Sequence, residues 1–213
     1  MNPIFLAGLV AAISAVGSLQ AGAVNVSVMQ RALRGRAREA RWLALGGSLP
    51  EAVYAAVAVG LGGWIGLAES AGPVLRWGFP VVLMGLGLYY WLKPKRALDV
   101  VPKPERRRGA FLTGVLLAGA NPQLLPFWLA VSEYLRAQHW MGDQLVDGVA
   151  FSLGAWLGAL GLLLMVAWLS RKLPFTMTTP TQLKRLDYVV ALIMIGLGVF
   201  GLTAALLAGR LAT

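Results

Sequence analysis

Six apolar runs alternate with short polar connections along this chain. They cover about Asn2 to Met29, Trp42 to Leu67, Val74 to Leu92, Ala110 to Val131, Val146 to Leu169 and Tyr188 to Leu207. Each is roughly 20 residues long, the length a helix needs to cross a bilayer. The pattern predicts an all-α polytopic membrane protein of six transmembrane helices. No connection is long enough to fold as a soluble domain, so residues 1–213 read as one membrane domain. Its first half covers about 1–92, a linker covers 93–108, and its second half covers about 109–213.

The fourth run is unusual inside. In GAFLTGVLLAGANPQLLPFWLAVSEYL (Gly109 to Leu135) the middle carries Asn121, Pro122, Gln123 and Pro126. Proline has no N–H, so the carbonyl four residues earlier loses its helical partner. Ala118 and Pro122 are the carbonyls so affected. In lipid, a broken helix is tolerated only against protein or a water-filled cavity. The break is therefore either a kink satisfied by a neighbouring helix or a solute site at mid-membrane depth.

Composition sharpens the class. The chain is 58% hydrophobic and 13% charged, with a mean hydropathy of +0.68, values that exclude a soluble globule. It has no cysteine, which removes disulfides, thiol redox chemistry and cysteine metal sites. The one histidine, His139, cannot build a metal site alone. The formal charge of +10 is topological, and no nucleic-acid partner is implied. Connections one, three and five hold 16 of the 19 basic residues. By the positive-inside rule these connections are cytoplasmic and both termini lie outside. Binding of anionic lipid headgroups is a compatible secondary use of the arginines. The N-terminal run has no basic residue before it, so it reads as a first transmembrane helix and not as a secretory signal. Aromatic residues such as Trp42, Tyr89, Tyr90, Trp91 and Trp168 fall near span ends, where amphipathic rings settle. Trp128 and Trp156 lie deeper and read first as packing.

The halves resemble each other. MGLGLYY (Met84 to Tyr90) in span three answers IGLGVFG (Ile195 to Gly201) in span six. AGAVN (Ala21 to Asn25) in span one answers AGANP (Ala118 to Pro122) in span four. Three spans is an odd number, so the second half enters the membrane from the opposite side. Two inverted three-helix repeats are a transporter pattern. The 26 glycines, with pairs such as Gly154 and Gly158, fit a tight bundle or a homodimer.

Away from the span ends, one carboxylate falls inside a span: Glu51, after Pro50. Charge in a bilayer is costly and marks a functional position. Glu51 is the candidate for proton coupling or for binding a substrate ammonium, with shallow placement near Trp42 as the alternative. In span one, Ser14, Ser18, Gly22 and Asn25 share a face if the helix is continuous; Asn25 is the functional candidate there. There is no phosphate-binding loop, no nucleophile beside a histidine and no paired carboxylates, so neither an enzyme nor an ATP-driven pump is expected, and no cofactor.

The stretch FLTGVLLAGANPQLLPFWLAVSEYL resembles the fourth span of the LysE/RhtB amino-acid exporters. Asn121, Pro122, Phe127 and Trp128 match, and Gln123 stands where that family has Lys. Gly22, Asn25, Arg31, Leu33, Gly35, Leu45 and Gly46 also fit its first-span and second-span motifs. Two family prolines are Ala21 and Ala23 here, and its Gly-Asp is Pro50-Glu51. The resemblance implies an exporter of amino acids or related small solutes in the cytoplasmic (inner) membrane of a prokaryote, driven by the proton gradient. The substrate contacts it implies, with the break, are Gly22, Asn25, Ala118, Asn121, Pro122 and Gln123. A cation or metal-ion exporter and a non-transporting scaffold are the rival classes. One intramembrane carboxylate is a poor site for a hard cation, which takes six or more oxygens.

Overall fold

The computed structural model describes residues 2–19, 22–66, 71–92, 104–121 and 123–172, with ten helical positions between 188 and 206. Pro122 and residues 93–103 of the predicted linker lie outside the described residues. Among the described residues there is helix and no strand. In chain order the helices are α1 (Pro3–Gly17), α2 (Ala23–Leu33), α3 (Ala37–Gly66), α4 (Ala71–Leu92), α5 (Arg107–Gly119), α6 (Leu124–Ala137) and α7 (Leu145–Lys172).

Helices α3 and α7 are long and apolar enough to cross a membrane. The α5–α6 pair supplies a third crossing if taken as one span bent by 66°. The first apolar run is also two helices. It ends at Gly17 and restarts at Ala23 without any proline in the interruption. The one continuous face drawn through Ser14, Ser18, Gly22 and Asn25 therefore does not exist. Ser14 instead donates to the Ala155 carbonyl of α7 at 2.7 Å.

Helix α3 is the hub: α2, α4, α5, α6 and α7 all pack against it. Pro50 interrupts its hydrogen-bond ladder but not its course. Two apolar clusters are threaded on α3 and α7. One joins Leu6 and Val10 of α1, Ala55 and Ala58 of α3, Trp128 and Leu135 of α6, and Phe151 and Ala155 of α7. The other joins Val28 and Ala32 of α2, Leu43 and Ala44 of α3, Ala110 of α5, and Leu163 and Ala167 of α7. Between the clusters, α3 presents Gly47 and Glu51. Glu51 thus sits at the middle of α3.

Glycines allow the close crossings. A Cβ at Gly158 would run into the Ala11 carbonyl of α1, and one at Gly154 would lie 2.5 Å from the Ala7 carbonyl. Helix α5 meets α3 in the same way, with Gly46 against Phe111 and Gly114 against Leu43. Helix α4 meets the C-terminal helical positions reciprocally. Gly87 faces the Ala191 carbonyl and Ile195, while Gly198 faces the Pro80 carbonyl and Met84. These are equivalent positions of the two glycine motifs read in the sequence.

Ionic groups bracket α3. Near its start Arg31, almost fully buried, lies 3.1 Å from Glu105 and 3.8 Å from Glu39. Near its end Arg136 donates to the Val59 carbonyl at 3.0 Å and pairs with Asp143 and Glu133. Arg31 therefore ties the α2–α3 connection to the segment before α5, besides adding positive charge to the first connection.

Substituting Gly158 by Val should lower stability by about 1–3 kcal/mol, because the crossing with α1 has no room for a side chain. Gly161→Ala, on the same helix with nothing within 4 Å, should stay within about 0.5 kcal/mol of the parent. Thermal unfolding in detergent compares the two, and equal midpoints would contradict the packing described.

Candidate functional site

Both helix breaks open into one cavity of about 390 Å³. Its lining includes Ser18, Gly22, Ala23 and Asn25 at the first break. Ala118, Ala120, Asn121 and Gln123 line it at the second, and Gly47 and Glu51 line it from α3. Leu116, Leu117, Ala159 and Leu163 supply apolar wall. The volume lies within the ~300–1,000 Å³ common for small-molecule sites. Six of the seven positions picked from the sequence meet here: Gly22, Asn25, Glu51, Ala118, Asn121 and Gln123. Pro122 is outside the described residues.

The breaks expose backbone, and side chains answer it. The Asn25 amide donates to the Ser18 carbonyl at 2.5 Å, so the second half of the broken span caps the end of the first. Tyr54 of α3 donates its hydroxyl to the Gly119 carbonyl at 2.8 Å. Asn121 turns inward on its own loop, its side-chain oxygen accepting from the Gln123 N–H at 3.2 Å. The Ala118 carbonyl, expected to lose its partner to Pro122, accepts instead from the Asn121 N–H at 3.0 Å. The chain tightens by one residue there, as helix ends commonly do.

The starts of α2 and α6 also face the cavity. The first N–H groups of a helix have no intrahelical acceptor, and the dipole adds partial positive charge there. Gly22 and Gln123 hold the cap positions, and neither makes a side-chain cap bond. Opposite in character is Glu51, 9% exposed. Its Oε2 accepts from the Trp128 Nε1–H at 2.6 Å, and its Oε1 accepts from the Ser18 hydroxyl at 3.4 Å. The cavity therefore combines helix N-termini suited to a carboxylate with a carboxylate suited to a cation.

Sequence reasoning missed three participants. Trp128 reads first as packing in the sequence; it is fully buried and also bonded to Glu51. Its match to the family motif was the available signal. Tyr89, expected at the membrane interface, lines the cavity. Nothing in the sequence pointed to Tyr54, since its partner lies 65 residues away.

A helical protein with membrane-length spans and a cavity at two interrupted helices is built as a transporter is built. The chain belongs to the LysE type translocator family, whose profile matches residues 15–205. No curated protein and no solved structure matches it.

Tyr54→Phe should cost about 0.5–1.5 kcal/mol, the net worth of the hydrogen bond it removes from the half-buried Gly119 carbonyl. An unchanged thermal midpoint in detergent would mean that the Gly119 carbonyl has another partner.

Proposed function

We propose that this translocator is a secondary exporter of amino acids or related small zwitterionic or amine solutes across the cytoplasmic membrane. The observation that carries the proposal is the meeting of both helix breaks and Glu51 in one cavity midway along α3. A solute carboxylate is placed at the N-termini of α2 and α6, beside Asn25, Asn121 and Gln123. Its ammonium is placed at Glu51. Pro122, which the sequence puts in the same motif, is assigned to this contact set as well.

Transport proceeds by alternating access between two inverted three-helix halves. Support comes from the packing. Helix α1 lies on α7 as α5 lies on α3, and exchanging the halves exchanges the two pairs. The reciprocal contacts of Gly87 and Gly198 are those of a two-fold axis between α4 and the last span. The positive-inside rule supports a cytoplasmic α2–α3 turn with both termini outside.

The coupling ion is the proton. Glu51 carries a proton in one half of the cycle and the substrate ammonium in the other. A metal-ion exporter fits less well, because Glu51 is the one carboxylate in the lining and hard cations take several oxygen ligands.

Glu51→Gln should abolish amino-acid counterflow in proteoliposomes while leaving a folded, monodisperse protein. Counterflow at the parent rate would remove Glu51 from the mechanism.

A further inference from the structure

The two oxygens of Glu51 are not equivalent. Oε2 is held at 2.6 Å by an indole N–H whose residue is fully buried and is absent from the cavity lining. Oε1 is held at 3.4 Å by Ser18, which does line the cavity. The cavity-side oxygen thus carries the longer, weaker bond, and the wall-side oxygen carries the short one. Trp128 is itself immobilised. Its ring stands edge-on to Phe127 at 5.0 Å and to Phe151 of α7 at 5.4 Å. Phe151 is also fully buried.

We propose that Trp128 is a specificity-determining residue that makes Glu51 a one-oxygen acceptor, selective for ammonium groups over guanidinium groups. The proposal rests on the assignment of Glu51 to the solute's cationic end. An ammonium is a compact charge with three donors that rotate to suit their surroundings. It displaces the Ser18 hydroxyl from Oε1 and turns its remaining donors to nearby acceptors. A guanidinium is a rigid planar fork whose strong mode is two parallel bonds to both oxygens of one carboxylate. Here Oε2 keeps a second lone pair but lies against the buried Trp128, which is absent from the lining, so a guanidinium seated on Oε1 brings a second donor that cannot reach it without displacing the indole. Leaving a buried donor unpaired costs affinity. The exported amines are therefore of the primary-ammonium class, and an arginine-type side chain is not read at Glu51.

The test uses the purified full-length protein in detergent, titrated with propylammonium and with propylguanidinium while thermal stability is followed. The parent protein should respond to propylammonium at about tenfold lower concentration, the equivalent of one lost hydrogen bond. Trp128→Phe frees Oε2 and should shrink that preference to about threefold or less. Should Trp128→Phe fail to fold, benzothienylalanine at position 128 keeps the indole's shape, lacks its N–H and should do the same. Equal response of the parent to the two cations would overturn the proposal, as would response to neither. So would an unchanged preference in a folded variant without the N–H. In each of these cases the exporter assignment still stands if amino-acid counterflow is retained by the parent and lost in Glu51→Gln.

Discussion

Backbone polarity inside an apolar bundle is the constraint on which the structure depends. A helix that stops at mid-depth leaves carbonyls and N–H groups that hydrocarbon cannot satisfy. Here both stops are answered by protein. Asn25 reaches back to the Ser18 carbonyl, and Tyr54 crosses from α3 to the Gly119 carbonyl. These bonds close the C-terminal sides of the breaks. The N-terminal sides, at Gly22 and Gln123, make no side-chain cap and face the cavity. The carbonyl ends are consumed by the protein, and the starts of α2 and α6 turn the positive ends of their dipoles toward the space where a solute carboxylate is proposed to sit, with the Gln123 N–H itself taken by the Asn121 side chain.

The long helices make such a cavity sustainable. Helices α3 and α7 run through two apolar clusters, and the cavity lies on the stretch between them. Glycines at the α1–α7 and α3–α5 crossings bring backbones together without side chains between them. Broken helices are thus clamped against unbroken ones. Glu51 belongs to an unbroken helix and its indole partner to a broken one, so their bond ties the rigid part of the bundle to the interrupted part.

Much of this was legible in the residues. Helical run lengths came from hydropathy, and the second break came from Pro122 and Pro126. The correspondence of Asn25 with Asn121 followed from matched motifs in the two halves, and Glu51 stood out as a carboxylate inside an apolar span. Other features were not legible, for stated physical reasons. The first break has no proline, and Gly22 with its neighbours interrupts the helix without announcing it. Hydropathy put Glu51 inside span two with a shallow position near Trp42 as the alternative, and it cannot see that α3 begins at Ala37, which puts Glu51 at the middle of that helix. Trp128 reads as core in any one-dimensional pattern, because its N–H finds Glu51 only through the packing of α6 on α3. Tyr89 carries the same ambiguity, an amphipathic ring that suits an interface and a cavity wall equally.

The proposed solute pathway is most directly tested by accessibility. The chain has no cysteine, so Ala120→Cys places a single thiol in the cavity lining. In oriented membrane vesicles a membrane-impermeant maleimide is offered to one face at a time. A pathway of alternating access predicts labelling from either face. A thiol that reacts from neither face, in a variant that still folds, would mean that the broken helices are sealed kinks and that no solute passes between them.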